Sequence, residues 1–325
     1  MASDIKKILV TGALGQIGSE LTVELRNIYG KENVIATDIR DCICNSPVFD
    51  GPYEKLDVLD INAIEKIIVQ NNIDTIIHLA AILSGVGEKN PSLCWNININ
   101  GSLNILNLGV KHKLTRIFIP SSIAVWGPDC PKHAPQSTAL HPTTMYGVTK
   151  VSGEILGDYY FRKFGLDVRG LRFPGIISSE TLPGGGTTDY AVAIYYGAVT
   201  NNHYTCFVTE NTKLPMMYMP DCIKATINLL QAPLENLKHH TDFNVGSMSF
   251  TVKELADCIR KYKPEFTITY EPDYRQAIAD SWPQSVDDSA ARNEWGWSPT
   301  YDLDSMTRDM PVSYTHLTLP TIYSV

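Results

Sequence analysis

The chain has 325 residues, is 44% hydrophobic and 19% charged, and carries a net charge of −8. That is ample for one large domain or two closely joined ones, and the acidic balance argues against nucleic acid or an anionic membrane as partner. Seven scattered cysteines without a C-x-x-C pair exclude a disulfide framework or zinc site and predict no bound metal; Cys42-x-Cys44 lacks further ligands at metal spacing.

The first predicted strand, residues 4–11, runs into Gly12-Ala13-Leu14-Gly15-Gln16-Ile17-Gly18, and a helix-period stretch follows to residue 29. Strand, glycine turn and helix start form a pyrophosphate cradle: Gly12 turns the chain, Gly15 admits the phosphates, and Gly18 lets the helix sit close to the sheet. A second strand, 33–38, ends in Asp38, twenty residues past Gly18. A carboxylate there accepts the adenine ribose hydroxyls and repels the phosphate of NADP, so the expected cofactor is NAD. Arg40 reads as a solvated loop residue. A third strand, 54–58, carries Asp57 and Val58 at the adenine edge, with Asp57 a partner for the adenine amino group.

Alternation continues with a helix over 61–70, a strand over 74–80, a helix over 95–112, a strand over 116–122, a helix over 144–164 and a strand over 167–173. The apolar strands predict an α/β fold, a Rossmann-type doubly wound parallel sheet with a smaller C-terminal substrate-binding lobe. The expected division is a dinucleotide domain over 1–174, a substrate lobe over 175–310 partly returning to the sheet, and a tail over 311–325 that is foreign or disordered. Pro311 is expected to stop a helix that begins near Tyr301. No apolar run is long enough to span a membrane, and the first strand begins too near Met1 for a signal or transit peptide. The expected compartment is the cytoplasm, or the mitochondrial matrix in a eukaryote.

Tyr146 and Lys150 stand four residues apart in a helix-reading stretch, which sets a phenol and an ammonium on one face. A free tyrosine titrates near pKa ~10, so a base near neutrality needs a shift of roughly 3 units, or about 4 kcal/mol, and a nearby cation supplies part of it. Ser122 ends a central strand, where open α/β sheets bind ligands. Gly184-Gly185-Gly186 leads into Thr187-Thr188 and a helix over 190–199, whose N–H groups and threonine hydroxyls suit a substrate carboxylate. Ser84 is a second polar contact, and Trp282 either closes over the substrate or belongs to a core or interface.

Thr-Gly-x-x-Gly-x-x-Gly at 11–18, Asp38, His78-Leu79-Ala80-Ala81, Asn98-Ile99-Asn100-Gly101, Ser121-Ser122 with Trp126-Gly127, and Tyr146-Gly147-Val148-Thr149-Lys150 resemble the extended short-chain dehydrogenases/reductases. Trp126 stands where many members have Tyr. Within that superfamily, the runs 174–178, 183–191, 214–218 and 280–283 resemble the short-chain type of L-threonine 3-dehydrogenase. The resemblance implies a catalytic set of Ser122, Tyr146 and Lys150, with Asn98 helping to hold a proton-relay water. It implies an NAD site over Gly12, Leu14, Gly15, Gln16, Ile17, Gly18, Asp38, Asp57, Val58, Leu79, Ala80, Ala81, Asn98, Tyr146, Lys150, Pro174 and Ile176. It also implies L-threonine as substrate and a homodimer. A nucleotide-sugar epimerase or dehydratase shares the fold and the Tyr/Lys pair, but Lys213-Leu214-Pro215-Met216-Met217-Tyr218 is short of cations for a diphosphate. A non-catalytic dinucleotide sensor would have no use for the intact catalytic set.

Overall fold

Alternate residues of the first strand face opposite sides of the sheet. In the computed structural model, which describes residues 5–41, 46–181 and 184–317, Ile8 and Val10 of β1 (Ile8–Thr11) enter one buried cluster and Leu9 enters another. Strands β2 (Val34–Asp38), β3 (Tyr53–Lys55), β4 (Thr75–His78), β5 (Arg116–Phe118) and β6 (Val168–Arg169) give the sheet order 3-2-1-4-5-6, all parallel. β5 and β6 resume beyond short breaks as Ser121–Ser122 and Leu171–Phe173, and β7 (Phe243–Asn244) adds to the edge in parallel. This order reverses direction between β1 and β4, and the crevice at that switch point is where open α/β sheets bind dinucleotides.

Both faces are covered, as parallel strands require. Helices α1 (Gln16–Tyr29) and α7 (Met219–Gln231) lay Leu21, Leu25, Cys222, Ala225 and Leu229 over one face. Helices α2 (Ile61–Asn71), α4 (Gly101–Lys111) and α5 (Met145–Phe164) lay Ile64, Ile67, Ile105, Leu106 and Tyr160 over the other. Thr144 caps α5 by accepting the Gly147 N–H at 3.1 Å, and Gly165 ends it in the left-handed region at φ 69. α1 has no side-chain cap, so its leading N–H groups face the glycine turn. Gly12 sits at φ 70, and a Cβ on Gly18 would lie 2.2 Å from the Gly12 carbonyl oxygen. The turn therefore demands both glycines.

The rest of the chain builds a separate core around α6 (Tyr190–Asn201) and α8 (Val252–Tyr262), with a small sheet of 175–177, 213–218 and 248–251. Three features depart from the expected elements. A short helix, α3 (Ser84–Lys89), lies in what reads as loop, and the helix expected over 95–112 widens into a π-turn at Asn96–Asn100. The stop expected at Pro311 also does not occur, because α9 runs Leu303–Leu317. Its own Met306, Thr307 and Met310 are fully buried, and the Tyr195 and Thr307 hydroxyls meet at 2.8 Å. That anchorage outweighs a proline cost of about 3 kcal/mol. Residues 318–325, like Cys42 and Cys44, lie outside the described residues. Among the described residues no helix is long and apolar enough to cross a membrane. Cys94, Cys206, Cys222 and Cys258 are buried free thiols.

Candidate active site

The break in β5 organises the site. Proline has no N–H, so the chain leaves the ladder at Pro120, and the freed Pro120 carbonyl accepts Lys150 Nζ at 2.7 Å. Ser122 follows two residues on, with its Oγ accepting the Ala124 N–H at 3.2 Å and serving as hydrogen-bond partner of the Tyr146 phenol. Tyr146 and Lys150 stand on one face of α5, with Nζ 5.3 Å from the ring centroid.

The electrostatics differ from the reading in which the ammonium lowers the phenol. Burial pushes Tyr146 up to about 12, against a smaller opposing effect of the Ser122 hydrogen bond. Burial likewise pushes Lys150 down to about 8, while the charges of Cys94 and Glu154 oppose it. With Lys150 tied to a carbonyl beside the ring, burial dominates and keeps the phenol protonated near neutrality.

One cleft brings together Gly12, Gly15, Gln16, Ile17, Gly18, Leu79, Ala81, Pro174 and Ile176 with Ser84, Ser122, Tyr146, Lys150, Thr187, Thr188 and Trp282. Its walls also include residues that the sequence reading passed over, among them Leu83, Pro120, Phe173 and Asp189. Leu14, Asp38, Asp57, Val58, Ala80 and Asn98 are not among its lining residues. Asp57 is exposed and accepts the Leu59 N–H at 2.9 Å, while Val58 is buried beside α4. Asn98, on the π-turn, clamps Ile82: its Oδ1 accepts the Ile82 N–H at 2.8 Å, and its Nδ2 donates to the Ile82 carbonyl at 3.1 Å and to Thr149 Oγ1 at 3.0 Å. The side chain expected to help hold a relay water is thus bonded to Ile82 and Thr149.

At the glycine-loop end of the cleft, the Ser84 and Thr187 hydroxyls meet at 3.3 Å, both buried. Trp282 is 9% exposed and belongs to the second core while still lining the cleft. The glycine loop is not a vacant carboxylate cradle, because Asp189 Oδ2 already accepts the N–H groups of Gly185 and Gly186 at 2.7 and 2.8 Å. Burial raises its carboxyl against those hydrogen bonds. An Asp immediately before an apolar helix is a cap signature, and that signal was present in the sequence. Here the side chain reaches back to the loop instead of forward to the helix.

Asp38 is also engaged. Its Oδ1 accepts the Arg40 N–H and Nε at 3.1 and 2.9 Å, and its Oδ2 accepts the Leu14 N–H and Arg40 Nη2 at 3.0 and 3.1 Å. Burial pushes the carboxyl up, but the hydrogen bonds and charge of Arg40 with the Leu14 N–H outweigh it and hold Asp38 below its ordinary value. Arg40 is therefore a paired residue, half exposed, and not a free one. Asp38→Ala is expected to weaken NAD binding far more than NADP binding. Equal losses for both in a calorimetric titration would remove Asp38 from the ribose site.

The profile of the NAD dependent epimerase/dehydratase family matches residues 8–246. The chain belongs to that family, whose cofactor is NAD. An L-threonine dehydrogenase from Clostridium difficile is 51% identical, with a TM-score of 0.93 over 96% of this chain and 98% of that one. An L-threonine dehydrogenase from Phytophthora infestans is 48% identical, with a TM-score of 0.92 over 96% and 100%. A Staphylococcus aureus (strain USA300) protein described as an uncharacterized epimerase/dehydratase is 49% identical over 94% of this chain and 96% of its own.

Proposed function

We propose that the chain oxidises L-threonine to 2-amino-3-oxobutanoate with NAD. The observation that carries this reading is the meeting of Ser122, Tyr146 and Lys150 in a cleft that also holds the Ser84 and Thr187 hydroxyls, in a chain so similar to two L-threonine dehydrogenases. The glycine turn and the uncapped start of α1 fit a pyrophosphate, and Asp38 fits ribose hydroxyls. When bound, NAD accepts the hydride and brings a positive ring into the site.

The chain's own residues do the remainder. Ser122 hydrogen-bonds the substrate hydroxyl, and Tyr146 takes its proton as the carbinol hydrogen leaves as hydride. Lys150 holds positive charge beside the phenol, and the carbonyl forms as the C–H and O–H bonds break. Asp189 sits at the same end of the cleft and suits the substrate ammonium better than its carboxylate, which leaves Ser84 and Thr187 as hydroxyl partners for the carboxylate.

Absorbance of NADH at saturating NAD tests the assignment. L-Threonine should reduce NAD, and UDP-glucose and UDP-galactose should not. L-Serine, lacking one methyl, should be poorer by about 10- to 200-fold. D-Threonine and L-allo-threonine should fail, because either inverted centre misplaces the hydrogen or the charged groups. Epimerisation of a UDP-sugar with no amino-acid oxidation would replace this reading with that of a nucleotide-sugar epimerase.

A homodimer is proposed on a second observation. Val148, Ile155 and Tyr159 form an exposed stripe on α5, at 37, 63 and 48% accessibility, and Leu93 and Trp95 extend it. An apolar stripe of that kind on a folded helix marks an interface. Light scattering should give twice the chain mass, and a monomer at micromolar concentration would remove the proposal.

A further inference from the structure

The strand Gly175–Ile177 is an edge strand of three residues, paired on one side with Met216–Tyr218. Gly175 and Ile176 line the cleft together with Gln16 and Thr188. A Cβ on Gly175 would lie 2.8 Å from the Thr188 side chain, so this strand touches the glycine-loop end of the cleft directly. One short ladder fixes only one side of such a strand, and its other side has to be held by something else.

Side chains of α1 do this. Gln16 Nε2 reaches the Ile176 carbonyl at 3.5 Å, the Ser19 and Thr181 hydroxyls meet at 3.3 Å, and Ser178 Oγ donates to Glu20 Oε1 at 2.6 Å. Ser178 is fully buried, and its Oγ also accepts the N–H groups of Glu180 and Thr181 at 3.1 Å each. Its lone pairs thus hold the turn that follows the strand, and its proton goes to Glu20. Burial pushes the Glu20 carboxyl up to about 7 against that hydrogen bond, and the charge of Glu180 adds to the rise. A carboxyl kept where its charge is disfavoured contributes little to stability, and what its hydrogen bond fixes is position.

We propose that Glu20 is a positioning residue: through Ser178 it ties the strand Gly175–Ile177 to α1 and so sets the cleft wall at Pro174–Ile176 in register with Thr188. The proposal rests on the reading of the cleft as the site of NAD and L-threonine. On that reading the start of α1 grips the pyrophosphate, and the strand beside its first turns forms the wall for the nicotinamide. Loss of the tie leaves the grip intact and loosens the wall, so hydride transfer suffers while dinucleotide affinity does not.

Glu20→Met keeps the length of the side chain and removes the acceptor. With L-threonine, kcat should fall by about 10-fold or more, while NAD affinity by calorimetry stays within about twofold of wild type. The melting temperature should not drop, because a poorly solvated carboxyl has been removed. Glu20→Gln, whose amide oxygen accepts the Ser178 hydroxyl, should restore kcat to near wild type. A second readout needs no substrate: the nicotinamide emission of bound NADH should move toward that of the free dinucleotide in Glu20→Met and stay put in Glu20→Gln. Ser178→Ala cuts the same bond from its other end and should reproduce both effects. Unchanged emission or unchanged kcat in folded Glu20→Met, or wild-type emission in Ser178→Ala, overturns the proposal. A loss shared by Glu20→Gln and matched by a lower melting temperature overturns it too, since the contact would then be structural only. Failure of the wild-type chain to oxidise L-threonine would instead strike the substrate reading, and the NADH emission would still decide the role of Glu20.

Discussion

Tyr146→Phe is expected to lower kcat by at least ~100-fold, with NAD affinity and melting temperature nearly unchanged. The phenol is buried, its hydroxyl answers to Ser122, and the ring is supported from α5, so phenylalanine fills the same space. What disappears is the proton acceptor. The structure makes the demand on that acceptor larger than the sequence suggests. With the phenol pushed up to about 12, a base working near pH 7 must be brought down by about 5 units, or about 7 kcal/mol. Lys150, at 5.3 Å from the ring centroid and bonded to Pro120, is the cation placed to supply part of that shift. Activity should rise with pH through the limb on which the phenol ionises. A variant with wild-type turnover would move the chemistry to another group.

Arg169→Met is expected to cost about 3–5 kcal/mol of stability, the range for breaking one side of a buried ion pair. Arg169 is fully buried. Its Nε and Nη2 donate to Asp167 at 2.8 Å each, and its Nη1 donates to the carbonyls of Leu229 and Ala232 at the end of α7. Arg116 also serves Asp167, at 2.7 Å, and donates to the Leu230 carbonyl. Removing Arg169 leaves a half-compensated carboxylate and helix-end carbonyls without donors, in an interior that water does not reach. Urea denaturation measures the loss. The exposed Arg162–Asp158 pair on α5 is the control and should give no more than about 1 kcal/mol. A loss for Arg169 as small as that would show that α7 is held by apolar packing alone.

The parts of the molecule that were legible in the sequence are those governed by period and by backbone sterics. Ile8, Leu9 and Val10 announced a strand buried on both faces, Gly12 and Gly18 a turn with no room for a Cβ, and Tyr146 and Lys150 a shared helical face. The unread parts depend on where a side chain turns. Gly85 and Gly87 weakened the helical signal of α3, whose packing beside the cleft compensates. Asp189 offered a cap signature, but only the fold shows it turning back to the glycine loop. Asn98 stands where the family pattern predicts, yet the π-turn spends its amide on Ile82. The phenol's upward shift arises from desolvation by distant segments, which no local spacing reports. Pro311 gave a stop signal that burial of Met306 and Met310 overrides.

The Asp38–Arg40 pair also bears on how this site could change its cofactor. The carboxylate proposed to repel a phosphorylated ribose holds against itself, two residues away, the kind of guanidinium that such a phosphate would need. Loss of the acid would both remove the repulsion and release the cation, with no new residue introduced. On the proposed reading of Asp38, preference for the unphosphorylated dinucleotide rests on a single side chain, and Asp38→Ala is the one-step change that would weaken it.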